Sequence, residues 1–267
     1  MNRVLTAMLA AALGSPAQAA PEQIDLVPSG KWRIDYADNG CVLSRPFTAN
    51  GQEYKLGLSF EPLASNVWMT IHSPDTVNRR DDGDAKVEID GAAMKDPVHF
   101  NVFKDKPSGT IREYWLKKFQ SNVGTTRQFL RLETGRYGDI RIDFDGFAEA
   151  MKSIGTCVDD LHRSLGIDPA LLKTIATPPE GFAGSIVELP QFNDSFTFQM
   201  IYWVAPSGRV DECHLLAPTG KSNFDKNACE QLKKNARFKP AKNAADAAIR
   251  APVYENNTVR TTVIRSP

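Results

Sequence analysis

From Lys31 to Phe144 apolar and polar residues take turns along the chain. Trp32, Ile34 and Tyr36 share one face of a segment whose other face carries Lys31, Arg33 and Asp35, the period of a half-buried strand. Asp38-Asn39-Gly40 turns the chain. Cys41–Phe47 and Tyr54–Phe60 then flank Asn50-Gly51, a dipeptide that favours tight hairpins. Val67–Ile71, Lys86–Ile89, Val98–Phe103, Phe129–Leu132 and Asp139–Phe144 read as further strands. Ile111–Phe119 fits strand or helix alike, and Asn78–Asp84 reads as a polar loop. Short strands at regular intervals with Gly and Asn turns predict an antiparallel sheet, a sandwich or an open barrel.

The period then changes. Phe147, Met151, Ile154, Val158, Leu161 and Leu165 recur at three- or four-residue steps, which predicts an amphipathic helix that covers the sheet and stops at Gly166. Asp168-Pro169 starts a short second helix, with Asp as N-cap and Pro in the first turn. Thr177–Gly181 reads as a linker. Beyond it come a β-rich run, Phe196–Val204, a turn at Ala205–Gly208, and a returning strand, Arg209–Leu216. Thr219-Gly220 turns the chain again, and a helix from Ser222 or Asn223 to about Ala236 places Phe224, Ala228 or Cys229, Leu232 and Ala236 on one stripe. Ala251–Tyr254 and Val259–Val263 read as the last two strands. A β-β-α-β-β order with the helix over one sheet face predicts a small two-layer domain. The fold class is α+β: residues 20–176 form a β-rich antiparallel domain closed by a covering helix, 177–185 a linker, and 186–267 the small domain.

Composition adds compartment. Arg3, the apolar run Val4–Leu13 and Ala17-Gln18-Ala19 have the layout of a cleavable export signal over residues 1–19. The run is shorter than the ~20 residues that span a bilayer. We therefore expect a periplasmic protein, with an inner-membrane anchor as the alternative. Lys+Arg and Asp+Glu number 32 each, so no global field attracts nucleic acid or an anionic membrane. An oxidising compartment favours disulfides among the 4 cysteines, for which three pairings exist. Cys157 on the covering helix and Cys41 at a strand start make one pair that a helix on a sheet brings together.

Catalytic and metal signatures are missing. His72, His99, His162 and His214 form no ligand-spaced cluster, and no nucleophile elbow, P-loop or dinucleotide fingerprint occurs. Asp81-Asp82-Gly83-Asp84 lacks the spaced ligands of a calcium loop and reads as a solvated turn. Asp139, Asp143 and Asp145 read as exposed-face acids rather than a catalytic pair. We expect no enzyme, no cofactor, no metal and no nucleotide.

The ordered set Val204-Ala205-Pro206-Ser207-Gly208-Arg209-Val210, Gly220, the helix Phe224–Ala236, and Arg237-Phe238-Lys239-Pro240-Ala241 resembles the C-terminal domain of TonB-family energy transducers, over about residues 185–265. Gly208 permits a positive-φ turn, Phe238 packs the chain back on the sheet, and Pro240 stops the helix from continuing. Cys213 on the second strand and Cys229 on the covering helix then form a second bridge. The resemblance implies a protein that engages an outer-membrane transporter or another envelope protein by adding a strand to a sheet edge.

Three features differ from force-transducing members. The leading apolar run is short, the 17 prolines are scattered, and Leu189-Pro190-Gln191-Phe192 stands where a tyrosine-proline segment is usual. The expectation is therefore a periplasmic binding protein. The alternatives are a membrane-anchored energy transducer for TonB-dependent transport and a structural module with no transport role. The N-terminal domain resembles no family, and the oligomeric state stays open.

Overall fold

A computed structural model describes residues 23–37, 39–64, 66–105, 109–117, 129–181 and 195–259. The export signal and Leu189–Phe192 lie outside them.

The alternating segments form strands. The first half holds β1 (Gln23–Pro28), β2 (Arg33–Ala37), β3 (Gly40–Ala49), β4 (Gln52–Phe60), β5 (Asn66–Ser73) and β6 (Asp81–Ile89). A two-residue β7 (Ala92–Ala93), β8 (Val98–Lys104), β9 (Thr110–Lys117), β10 (Phe129–Glu133) and β11 (Asp139–Asp143) complete it. Asn50 and Gly51, at φ 50° and 73°, make the β3–β4 turn that the sequence predicts.

Pairing runs β1-β11-β10-β6-β8-β9-β5-β4-β3, and β3 pairs back to β1, so the sheet closes into a barrel rather than staying open. The closing strand, β1, has no counterpart in the sequence reading. It pairs parallel with β11 at Gln23–Leu26 and antiparallel with β3 at Val27 and Pro28, so the sheet is not wholly antiparallel. β2 shares that β3 edge, pairing at Gly40–Ser44.

Two local readings change. Of Ile111–Phe119, Ile111–Lys117 is strand, part of β9, and residues 118 and 119 lie outside the described residues. Asp81–Asp84 is not a turn but the start of β6, opposite Asn101, Val102, His99 and Phe100 of β8. Gly83 explains this, because the Phe100 ring lies where a Gly83 side chain would be, 3.1 Å from an ideal Cβ, and covers the bare backbone.

Leu43, Leu56, Leu58, Met69, Ile71, Val102, Leu116, Leu130, Leu132 and Ile140 are fully buried in the barrel, and Arg112, on the buried face of β9, is paired with Asp75 at 2.8 Å. Helix α1 (Phe147–Ser164) adds Phe147, Ala150, Ile154, Cys157 and Leu161 to the same core. Cys41–Cys157 is a disulfide that ties α1 to β3. Trp32 packs against Phe47, Phe144 and Phe147, and its indole donates to the Asp145 carbonyl at 3.1 Å. A short helix α2 (Pro169–Leu172) follows, with Asp168 accepting from the Ala170 amide at 2.8 Å as N-cap.

The expected linker begins at the end of a strand, and its residues 182–185 lie outside the described residues. β12 (Ile175–Thr177) pairs with β15 (Ala241–Asn243), which pairs with β16 (Ala248–Ile249). Glu180 also bridges Lys239, through backbone hydrogen bonds of 3.1 and 2.9 Å. The main sheet has three strands in the order β14-β13-β17: β13 (Phe196–Val204), β14 (Val210–Leu215) and β17 (Ala251–Val259). Helix α3 (Ser222–Asn235) covers one face. β17 covers the expected strand Ala251–Tyr254 and runs on to Val259, residues 260–263 of the last expected strand lie outside the described residues, and the β15–β16 hairpin separates β17 from α3. No described helix is long and apolar enough to cross a membrane.

Candidate interaction site

Tyr202, Val204, Val210, Phe224, Ala228, Leu232, Ala236 and Phe238 form the core between α3 and the sheet. The Cys213–Cys229 disulfide links β14 to α3 at its centre. Tyr202 is fully buried and donates to Glu255 Oε1 at 2.7 Å. Burial, then the Glu255 carboxylate, pushes its phenol far above the ordinary range.

Each resemblance residue has a definite place. Gly208 sits at φ 78°; its amide donates to the Ala205 carbonyl and its carbonyl accepts from the Phe238 amide, both at 2.8 Å. A Cβ on Gly208 would lie 2.2 Å from the Phe238 carbonyl oxygen. Val210 is a core residue. Gly220, at φ 76°, leads into α3, whose start is held by Asp225 accepting from the Thr219 amide at 3.1 Å and hydroxyl at 2.6 Å. The Phe238 ring lies 5.5 Å from that of Tyr202, and Pro240 falls between Lys239 and β15. These residues build the scaffold.

The surface such a scaffold presents is its edge. Among the described residues β17 pairs only with β13, over Phe196–Val204 opposite Ala251–Val259. β14 is the other edge, shorter and fastened to α3 by the disulfide. β17 therefore offers the longer row of backbone donors and acceptors.

The second sheet face holds residues the sequence reading missed. Ile201 and Trp203, 1% and 3% exposed, pack with Ile167, Leu165, Leu172, Leu216 and Leu63. Leu63 lies in the β4–β5 connection of the barrel at φ 58°, a conformation that a side chain other than glycine seldom adopts. Polar contacts flank this patch. Asn39 donates to Gln199 Oε1 at 2.9 Å, and Asn256 donates to Glu61 Oε1 at 2.5 Å. Burial raises the Glu61 carboxyl above its ordinary range, against the Asn256 hydrogen bond, which lowers it. Burial also raises the nearby Tyr254 phenol, and the Glu61 charge adds to this. The signal for these residues was faint: Ile201 and Trp203 make β13 apolar on both faces, which means a second covering layer.

Asp139 accepts from Arg131 at 3.1 Å, and Asp143 accepts from the Asp145 amide at 3.0 Å. His72, His99 and His214 each lie beside one acid, Asp105, Asp84 and Glu212. No group of three or more His, Cys, Asp or Glu that could hold a metal occurs among the described residues.

No curated protein and no solved structure matches the chain. Residues 197–254 match the family model of the Gram-negative bacterial TonB protein C-terminal, and this part of the chain is a TonB-family C-terminal domain.

Proposed function

We propose that the chain is a periplasmic binding protein that engages an envelope partner, such as an outer-membrane transporter, by strand addition to β17. The observation that carries the reading is the nine-residue edge of β17 in a domain of TonB family. Backbone pairing supplies such a contact without a catalytic constellation. The domain's disulfide and the export-signal layout of residues 1–19 agree with an oxidising compartment.

The test is a photo-crosslinker placed at Asn257, in β17, with a control at exposed Ser222 on α3. Full chain is incubated with detergent-solubilised outer membrane. An adduct from position 257 and none from 222 supports strand addition, while no adduct from 257 removes it.

The membrane-anchored transducer remains the second reading, carried by Val4–Leu13. Amino-terminal sequencing of the exported protein separates the two: a start at Ala20 excludes an anchor.

A further inference from the structure

The barrel rim runs alongside the sheet in a definite order. Alternation puts Gln199, Ile201 and Trp203 of β13 on the barrel side, and their cross-strand partners Asn256, Tyr254 and Pro252 of β17 on that side too. Gln199 meets Asn39, in the turn before β3. Asn256, opposite Gln199, meets Glu61, just after β4. β3 and β4 are neighbours, with Cys41 opposite Phe60 at this end of the barrel. One step across the sheet, from β13 to β17, is thus one step along the rim, from β3 to β4.

Both steps have the spacing of paired strands, ~4.8 Å. The next step beyond β17 is its edge, which pairs with no described strand, and the next along the rim is β5, which begins at Asn66. Asn66 pairs with Lys117, the last residue of β9, and Lys117 is exposed. Glu61 Oε1 is engaged by the Asn256 amide, on the β17 side of this rim.

We infer that the docking site on β17 is composite: an extended segment paired to β17 also lies over the barrel rim at Asn66 and Lys117, where Lys117 takes an acidic side chain from it. This rests on the strand-addition reading and deepens it. The small domain supplies backbone pairing, which is indifferent to sequence, and the barrel selects the segment by charge. It also gives the N-terminal barrel a role in recognition.

The experiment places the photo-crosslinker separately at Asn257 and at Lys117 in the full chain, with solubilised outer membrane as probe. Adducts of the same mass from both positions are expected. A charge-reversed chain, Lys117→Glu, should lower the adduct yield at position 257 by about two- to fivefold, the scale of losing one exposed ion pair, and Lys117→Arg should restore it. An adduct from 257 with none from 117, or a yield unchanged by Lys117→Glu, overturns the composite site and leaves strand addition standing. No adduct from either position overturns both. An adduct of twice the chain's own mass makes the occupant a second copy and overturns the acidic partner. Thermal melting of each variant checks that the fold is retained.

Discussion

At the scale of single residues, Gly208 and His162 carry the sharpest consequences. Gly208 combines a positive φ with a carbonyl oxygen 2.2 Å from where a side chain would begin. Gly208→Ala is expected to destabilise the small domain by more than about 1 kcal/mol, since both the backbone conformation and the contact oppose it. Urea unfolding followed by Trp203 fluorescence measures this, and a change within error would show that the turn can move aside. His162 is 7% exposed, with neither ring nitrogen hydrogen-bonded among the described residues. Burial lowers its pKa, opposed by Asp159. The unfolded chain, with His162 near 6.5, therefore binds more protons than the folded one just below that pH. The contribution of His162 is intact above pH 6.5 and is lost as pH falls through its depressed folded value. An NMR titration should place the His162 midpoint below 6.5, and a midpoint above it contradicts the burial argument. Glu61 has the opposite sign: its raised folded pKa gives a contribution present below about 4.5 and lost as pH rises through the folded value.

At the scale of elements, most of what alternates in sequence also pairs in space. The β3–β4 hairpin, α1 and the β13–β14 turn were legible because local periodicity and turn chemistry decide them. Asp81–Asp84 was misread because three aspartates and a glycine look like a loop until Phe100 is seen to cover Gly83. β1 was hidden beside the export signal, and its closing role depends on β3 and β11, far along the chain. The two disulfides belong to this scale as well, each fastening a helix to a strand. Their sequence separations are 16 and 116 residues. On the chain-entropy estimate, removing Cys213–Cys229 costs about 3 kcal/mol and removing Cys41–Cys157 about 5 kcal/mol. The paired Cys→Ser variants should rank in that order by chemical denaturation of the domain each one staples. The reverse order would mean that native packing, rather than restriction of the unfolded chain, sets the loss.

At the scale of the whole molecule, the contacts that sequence could not show are those between the barrel and the small domain. Asn39–Gln199 and Asn256–Glu61 join residues 160 and 195 positions apart, and no local pattern marks either. Leu63 is the most exacting member of this interface. Its left-handed backbone costs of order 1 kcal/mol or more, and its side chain packs against the cluster of Ile167, Ile201 and Trp203. Introducing a charge there should separate the two domains without unfolding either, because the barrel core and the α3 core are distinct clusters. We expect Leu63→Asp to raise hydrogen exchange along β13 and to expand the particle seen by small-angle scattering, with little change in barrel melting. Tyr36→Asp, at a position 60% exposed on β2, serves as the control that should change none of these. If Leu63→Asp leaves β13 exchange unchanged, the contact is incidental. The barrel and the TonB-family domain would then act independently, and a partner strand on β17 would gain nothing from the rim beside it.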